Sequence, residues 1–218
     1  MIFDLDGTLV DTVNARIEGW LEALEAAEIR AARVDIAPMI GMDGRRLARE
    51  VAFAVGRDLT PDEVDATDRA AGEAFDRLNR RPRTLPGVHE AIAALDQAGI
   101  PWVVATSSRR EQVAVSIKAL GLAREPTIVD GSHVEHAKPA PDLLLLAASR
   151  MGVDPVGCWA VGDSTWDIRA AVAGGMTAVG VIEGSAVPGA ELKEAGATMV
   201  IGSLVDLAEL IILVGKPG

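Results

Sequence analysis

Residues 1–11 of the 218-residue chain read MIFDLDGTLVD, and this stretch is the strongest indication of the fold. A short apolar run leads into residues 4–8, where glycine and threonine indicate a turn, so we predict a strand that ends at two carboxylates. Because the run is so short, we expect further strand residues upstream of Met1. A purely structural sheet gains no stability from acids one residue apart, so we interpret Asp4 and Asp6 as holding a cation. A site made of oxygen atoms suits Mg²⁺.

The sequence between residues 12 and 83 loses strand patterns and gains helical ones. Apolar side chains recur there at spacings of three and four residues, and helices are predicted over 45–55 and 61–78. The second helix has a complete start signal, because Thr60 is a candidate N-cap, proline follows it, and Glu63 completes a capping box. We therefore predict that residues 12–83 form an all-helical insertion.

The remainder of the chain alternates predicted helices with short buried strands. Such alternation is typical of a parallel sheet with helices on both faces, so we predict an α/β, Rossmann-like core made of residues 1–11 and 84–218. The predicted strands cover 102–105, 127–129, 158–161, 177–181 and 199–201. The predicted helices cover 88–98, 111–120, 140–151, 168–173, 190–195 and 204–212. Glycines that would cap helix ends in a left-handed conformation are Gly99, Gly121, Gly152 and Gly175.

Composition excludes several classes of function. A formal net charge of −11 argues against a nucleic-acid partner, because phosphate backbones are bound by clusters of Lys and Arg. The apolar stretches are far shorter than the roughly 20 residues that a membrane-spanning helix needs, so we expect no membrane partner. Cys158 is the only cysteine, which excludes an intrachain disulfide and a thiolate cluster. With no signal-peptide pattern at the N-terminus, we predict a cytoplasmic protein, and its oligomeric state is not readable.

Polar residues follow several of the predicted strands. Ligands of parallel α/β sheets bind at the carboxyl ends of the strands, so Asp4, Thr106 and Asp163 are expected to converge on one site. Thr106 and Ser107 offer hydroxyl groups and backbone amides that can bind an anion. Lys138, one of four lysines, can neutralise an aspartate and a phosphoryl oxygen.

Each of these signals has a structural alternative when it stands alone. The Asp-x-Asp-Gly segment can be a turn, Thr106 and Asp163 can cap helices, and Lys138 can be a solvated charge. Four signals in order, each near a strand end, favour a phosphoryl-transfer site instead. His133 and His136 are interpreted as neutral surface histidines and not as metal ligands.

Four segments together resemble the motifs of the haloacid dehalogenase superfamily, in the right order and across nearly the whole chain. They are residues 3–11 (FDLDGTLVD), the turn at Thr106, residues 138–142 (KPAPD) and residues 162–167 (GDSTWD). The likeness is greatest to its phosphoglycolate phosphatase and β-phosphoglucomutase branch, in which a helical cap follows the first motif. The resemblance also implies that this cap closes about hinges near Thr12 and residues 85–87.

The resemblance implies a role for each matching residue. Asp4 would attack phosphorus, and Asp6 would protonate the leaving oxygen and then activate water. Mg²⁺ would be bound by the side chains of Asp4 and Asp163 and by the backbone carbonyl of Asp6. Thr106 would hold the phosphate, and Lys138 would complete the charge balance. Ser107 is kept as a second phosphate-binding candidate because of its hydroxyl and amide, and Asp167 would orient metal-bound water.

We therefore predict a Mg²⁺-dependent phosphomonoester hydrolase that acts on a small phosphorylated metabolite through a phosphoaspartate. Dehalogenating members lack the second aspartate, and phosphonate-cleaving members need a cap lysine, which residues 11–83 lack. Mutases resembling β-phosphoglucomutase commonly have Glu-Asp where this chain has Gly162-Asp163, so a mutase is kept as the alternative. A non-catalytic phosphate-binding module is a further alternative, although its signature would be the loss of Asp4 or Asp6.

Substrate specificity in this branch resides in the cap. The candidates are Gly41, Arg45, Arg46 and Arg49 on a predicted loop that leads into a helix. Arg45 and Arg49 would share a helical face and could bind a substrate carboxylate such as that of phosphoglycolate. A solvated basic face is the alternative, so phosphoglycolate and sugar phosphates both stay open as substrates.

Overall fold

A computed structural model of the chain describes residues 1–108 and 110–214. Residues 109 and 215–218 of the predicted core lie outside the described residues. Six parallel strands form one sheet in the order β3-β2-β1-β4-β5-β6. The strands are β1 (Ile2–Phe3), β2 (Val103–Thr106), β3 (Ile128–Asp130), β4 (Trp159–Gly162), β5 (Thr177–Val181) and β6 (Met199–Ile201). The strand β1 is central, because Ile2 pairs with both Val103 of β2 and Ala160 of β4.

Helices cover both faces of this sheet. They are α5 (Val88–Ala98), α6 (Arg110–Ala119), α7 (Asp142–Met151), α8 (Thr165–Ala173), α9 (Gly189–Glu194) and α10 (Leu204–Val214). Successive side chains of a strand point to opposite faces, and accordingly Phe3 packs in one hydrophobic cluster with Ile92 and Leu207, whereas Ile2 packs in another with Ile168. The predicted α/β fold is confirmed.

Four α-helices lie between β1 and α5, and buried residues of the segment 13–71 form a third hydrophobic cluster together with Trp166. The helices are α1 (Val13–Ala26), α2 (Arg33–Ile36), α3 (Gly44–Ala54) and α4 (Pro61–Leu78). The capping box predicted for α4 is present, because the carboxylate of Glu63 accepts a hydrogen bond from the Thr60 amide at 2.8 Å. The sequence analysis missed α2, since one helical turn is too short to show a periodicity. We call the segment α1–α4 the cap.

The two chain segments that join the cap to the sheet lie side by side. The amide of Asp11 donates to the carbonyl of Arg83 at 2.8 Å, and the amide of Leu85 donates to the carbonyl of Leu9 at 3.0 Å. The division at residues 11/12 and 83/84 stays a prediction. Within the described ranges, none of the helices combines the length and the apolar character that crossing a bilayer demands.

Candidate active site

A cavity of about 310 Å³ lies between the carboxyl ends of the strands and the cap. Its core wall, as we name the side formed by the sheet, contains every core residue singled out from the sequence. They are Asp4, Asp6, Thr106, Ser107, Lys138, Asp163 and Asp167. Residues separated by up to 163 positions therefore meet at one edge of the sheet, as the strand-end argument predicts.

Lys138 connects two acids of the core wall. Its Nζ atom lies 2.6 Å from Oδ1 of Asp4 and 2.5 Å from Oδ1 of Asp167, and its side chain is 2% exposed. Burial by itself lowers the pKa of the Lys138 ammonium group, but Asp167 and Asp4 outweigh it and raise that pKa above its ordinary value. The lysine is therefore a fixed positive charge at neutral pH.

The acids of the core wall carry more negative charge than Lys138 can neutralise. Burial, with smaller contributions from Asp167 and Asp6, raises the pKa of Asp4 to about 7 even though Lys138 opposes the shift. Burial and the neighbouring Asp167 and Asp4 also raise the pKa of Asp163 well above its ordinary value. Buried like charges are unfavourable unless a cation or protons neutralise them.

These acids fit a divalent cation. Carboxylate oxygens of Asp4, Asp163 and Asp167 lie within 4.8 Å of one another, and an all-oxygen set suits Mg²⁺. The turn after β1 leaves this space open because Gly7 has no side chain: a Cβ there would lie 2.3 Å from Oδ2 of Asp163. The hydroxyl of Thr8 donates to Oδ1 of Asp163 at 2.8 Å and orients that carboxylate.

The start of α8 orients Asp167. Ser164 is the N-cap, and its Oγ accepts a hydrogen bond from the Asp167 amide at 3.2 Å. In return, Oδ2 of Asp167 accepts from the amide and the hydroxyl of Ser164 at 3.0 and 2.5 Å. The helix therefore begins at Thr165, three residues before the predicted start, because the capping box was not recognised in the sequence.

The turn after β2 provides a candidate anion site. Thr106 is 1% exposed, and its hydroxyl accepts a hydrogen bond from the Ser108 amide at 3.1 Å. The hydroxyl of Ser107 is buried and, among the side chains that the structure describes, has no hydrogen-bond partner. An unsatisfied buried hydroxyl costs about 1–3 kcal/mol, which an anion oxygen bound in the cavity would offset.

Asp6 is oriented by three donors. Its Oδ1 accepts from the Thr12 hydroxyl at 2.9 Å, and its Oδ2 accepts from the Ser108 hydroxyl at 2.6 Å and from Arg16 at 3.2 Å. Arg16 belongs to α1 of the cap, and its Cζ lies 3.5 Å from the ring centroid of Phe75. The sequence analysis missed Arg16, because nothing local distinguishes this arginine from the many on the surface.

The structure does not bring Arg45 and Arg49 to the cavity. Both side chains are exposed, and Nε of Arg45 lies 2.7 Å from Oδ1 of Asp65. The reason is helical geometry: Leu47 of α3 lines the cavity, and residues two positions before and after it lie on the opposite side of the helix. The cap arginine next to them in the sequence, Arg46, also lies outside the cavity lining and pairs with Glu50 at 2.5 Å.

The cap wall, as we name the side of the cavity opposite the sheet, has three parts. Val13, Arg16 and Trp20 of α1 form the first part, and the segment 39–44, which includes the predicted Gly41, forms the second together with Leu47. The third part is a face of α4 that was not assigned to the site from the sequence, with the charged residues Asp68, Arg69, Glu73 and Asp76. At 3.6 residues per turn these four side chains lie within about 140° of one another around the helix, but this does not reveal that their face turns toward the sheet.

The two histidines lie apart from the acids of the core wall. His136 is 67% exposed, and the pKa of its imidazole is raised by a hydrogen bond with Asp142. His133 is partly exposed and contacts Asp130 at 3.1 Å. Neither residue is among those that line the cavity, and the raised pKa of His136 favours a larger charged fraction than the neutral state that we expected.

Comparisons with known proteins agree with this geometry. A family model described as haloacid dehalogenase-like hydrolase matches residues 1–175. The fructose-1-phosphate phosphatase YqaB of Escherichia coli is 33% identical over 187 residues, which cover 83% of this chain and 95% of the relative. A phosphoglycolate phosphatase of Shigella boydii is 32% identical over 203 residues, which cover 84% of this chain and 80% of the relative.

Solved structures extend the agreement to the whole fold. A hydrolase from Pseudomonas syringae is 33% identical and superposes with a TM-score of 0.90 over 99% of this chain and 98% of that protein. A β-phosphoglucomutase from Clostridium difficile shares the fold at 20% identity, with a TM-score of 0.84 over 98% of this chain and 95% of that protein. Because the family match spans residues 1–175 and the motif residues of this match form one buried site, the chain belongs to the haloacid dehalogenase-like hydrolase family.

Proposed function

We propose that this protein is a Mg²⁺-dependent phosphatase that hydrolyses a small phosphorylated metabolite through a phosphoaspartate on Asp4. The observation that supports this most strongly is the pairing of Asp4 with Lys138 at 2.6 Å inside a cavity that also contains the Ser107 hydroxyl, for which the described residues offer no hydrogen-bond partner. A carboxylate, a fixed positive charge and an anion-binding turn are the groups that phosphoryl transfer to an aspartate needs.

In the first step, an oxygen of Asp4 attacks phosphorus while the bond between phosphorus and the leaving oxygen breaks. Lys138 holds Oδ1 of Asp4, so we assign the attack to Oδ2. The hydroxyls of Thr106 and Ser107 bind phosphoryl oxygens, and Asp6 gives a proton to the leaving oxygen. Thr12, Ser108 and Arg16 orient the Asp6 carboxylate for this transfer.

In the second step, Asp6 accepts a proton from a water molecule that attacks the phosphorus of phosphoaspartate. Inorganic phosphate leaves, and the Asp4 carboxylate is restored. We assign the cation to the carboxylates of Asp4 and Asp163 and to the backbone carbonyl of Asp6. When bound, Mg²⁺ would supply positive charge that offsets these acids and the phosphoryl oxygens. The carboxylate of Asp167 accepts a hydrogen bond from Lys138 at 2.5 Å and so holds the lysine in place. We also propose that Asp167 would orient a water molecule bound to the cation.

Hydrolysis is favoured over mutase activity by the packing at Gly162. A Cβ at this position would lie 2.3 Å from Cβ of Asp167, so the glutamate that precedes the aspartate in mutases has no room. The relative YqaB is named as a fructose-1-phosphate phosphatase, and the relative from Shigella boydii is named as a phosphoglycolate phosphatase. We therefore propose a small sugar phosphate or phosphoglycolate as substrate, and the cytoplasm as the location.

The test is phosphate release from phosphoglycolate, several sugar monophosphates and p-nitrophenyl phosphate, with Mg²⁺ and with a chelator. Asp4→Asn should lower turnover at least about a thousandfold, because the nucleophile is lost. Asp11→Asn is the matched control, since Asp11 belongs to the same motif but is exposed. Mass spectrometry of acid-quenched enzyme should find a phosphate on the peptide that contains Asp4. Equal turnover in Asp4→Asn and wild type would overturn the proposal.

A further inference from the structure

Trp166 is a residue of the core whose side chain is packed in the cap. It is the second residue of α8, directly before Asp167, and it is 7% exposed. It belongs to the hydrophobic cluster of the cap, whose buried residues include Ile36, Ile40 and Leu47. Every other buried member of this cluster in the described ranges lies between residues 13 and 71. Trp166 is therefore the buried side chain through which the sheet domain contributes to the hydrophobic core of the cap, and the partly buried Ala186 packs against the same cluster.

Polar contacts hold the indole in this position. Its Nε1 donates a hydrogen bond to the carbonyl of Pro38 at 3.0 Å. The Cζ atom of Arg46, a cap residue, lies 5.2 Å from the ring centroid, and that of Arg169, a residue of α8, lies 5.0 Å from it. Both distances are within the range of cation–π attraction. Residues of the cap and of the core are therefore joined through one ring.

At Gly41 the cap is in close contact with the first turn of α8, the turn that contains Trp166. This glycine has a φ of +98°, and a Cβ there would lie 2.5 Å from Oγ of Ser164 and 3.5 Å from Cδ1 of Trp166. The segment 38–42 thus rests on the first turn of α8 with no room for a side chain between them. A change in the position of Trp166 must therefore move this segment.

Neighbouring residues in the first turn of α8 contact different walls of the cavity. Asp163, Ser164 and Asp167 line the core wall, whereas Trp166 lies outside the cavity lining and contacts the cap. Residues 39–42, which Trp166 holds through Pro38, line the cap wall. The distance between the two walls at this end of the cavity is therefore determined through Trp166.

We propose that Trp166 is a positioning residue that holds the cap segment 38–42 against the active site and thereby determines how tightly the cavity binds the leaving group of the substrate. This inference rests on the proposed phosphatase function. Trp166 acts through the cap segment and does not contact the phosphoryl group. Its loss should therefore weaken the binding of substrates whose leaving group reaches the cap wall, and should leave the binding of inorganic phosphate to the core wall unchanged.

Trp102 provides a matched control. It is also 7% exposed, its Nε1 donates to Asp96 at 3.0 Å, and the Cζ atom of Arg124 lies 5.5 Å from its ring. It packs in the sheet cluster and does not line the cavity. Trp166→Ala should lower kcat/KM for a sugar phosphate by about tenfold to a hundredfold, mainly through KM, because misplacement of about 1 Å has effects of that size. The kcat/KM of Trp102→Ala should stay within about twofold of the wild-type value.

Two further measurements separate positioning from a general loss of structure. The inhibition constant of inorganic phosphate should change by less than about twofold in Trp166→Ala, because the core wall is intact. Trp166→Phe retains an aromatic ring and loses the hydrogen bond to Pro38, so it should recover most of the lost kcat/KM and stay within about threefold of wild type. If Trp166→Ala does not fold, the pair Gly41→Ala and Gly56→Ala carries the test.

Gly41→Ala tests the same inference from the cap side. Gly56 is the control, since it also has a positive φ, of +78°, but a Cβ there would meet nothing within 4 Å. We expect Gly41→Ala to raise KM as Trp166→Ala does, and Gly56→Ala to change stability alone. Equal kinetics in Trp166→Ala and Trp102→Ala, or a phosphate inhibition constant that rises as much as KM, would overturn the positioning role while an active wild type still supports the phosphatase. An inactive wild type would overturn both.

Discussion

The two walls of the cavity are built differently. Residues of the core wall are mostly buried, follow strand ends and hold one another through short contacts such as that between Lys138 and Asp167 at 2.5 Å. The charged residues of the cap wall on α4, by contrast, are mostly exposed and belong to no motif. Chemistry that is common to a family needs the fixed, buried geometry of the core wall. Recognition of one substrate can be changed by substitutions on a helix surface that leave the fold intact.

Loss of Lys138 should give the largest effect, because it breaks the core wall at its centre. Lys138→Met leaves the buried acids Asp4 and Asp167 without their cation, and removal of one partner of a buried ion pair costs about 3–5 kcal/mol. We expect turnover to fall by at least about a thousandfold, and the free energy of unfolding to fall by about 3–5 kcal/mol. Denaturant unfolding and phosphate release measure the two effects. The control is Lys193→Met at an exposed lysine, and equal stability of the two variants would contradict the prediction.

A substitution of Arg16 tests the contact between the cap and the core wall, because this cap residue donates a hydrogen bond to Asp6. Arg16→Met should lower kcat/KM for a sugar phosphate by about a hundredfold, the lower end of what general acid–base catalysis contributes, because Asp6 loses one of its orienting donors. The loss in kcat/KM, which reports the steps up to departure of the leaving group, should be smaller for p-nitrophenyl phosphate, whose leaving group departs without a proton. Arg45→Met and Arg49→Met are matched cap controls and should remain within about twofold of wild type, since both side chains are exposed and outside the cavity. A similar loss with both substrates would contradict the assignment of Arg16 to Asp6.

The acids of the core wall should make Mg²⁺ binding depend on pH. The pKa of Asp4 is about 7 in the metal-free protein and that of Asp163 is also raised, so the folded state binds protons that the unfolded state has lost. This contribution to stability is present below about pH 4 and is lost as the pH rises through about 7. A cation that replaces the proton of Asp4 should bind about fivefold more tightly at pH 7 than at pH 6 and less steeply above pH 7, and the raised pKa of Asp163 should add to this dependence. Calorimetric titrations at pH 6, 7 and 8 measure this, and a dissociation constant that does not change with pH would contradict it.

A substitution in the cap away from the cavity should have the smallest effect on activity and stability. Thr60→Ala removes the N-cap of α4, whose hydroxyl accepts a hydrogen bond from the amide three residues later, and such a loss costs about 1 kcal/mol. We expect a correspondingly lower free energy of unfolding and unchanged kcat/KM, because the start of α4 is remote from the cavity-lining residues 68–76. Thr177→Ala, a change at a partly buried strand residue, is a comparison for an ordinary threonine substitution. A changed KM in Thr60→Ala would show that the cap wall is coupled to the stability of α4.

Much of the core wall was predictable because its residues follow short strands within contiguous segments. An apolar run, a glycine turn and two acids at residues 2–8 are sufficient to predict a strand end with carboxylates. The strand-end rule then brings Thr106 and Asp163 toward Asp4 without any knowledge of distances, whereas Lys138, eight residues after β3, was assigned from its charge and from the family resemblance. The start of α8 was placed too late, because the reciprocal bonds between Ser164 and Asp167 were not recognised as a capping box. That error hid the reason why Asp167 is so firmly oriented.

The sequence by itself determined the fold class, the helical segment after the first strand, and the group of acids, hydroxyls and lysine that meet at the sheet edge. Local backbone preferences and hydrophobic periodicity carry this information within a few residues of each motif. Only the tertiary structure decided that Arg16 and a face of α4 reach the cavity, that Arg45 and Arg49 do not, and that Trp166 packs in the cap. The physical reason is that the face a helix turns toward its neighbour depends on the crossing of whole helices, which no short segment specifies.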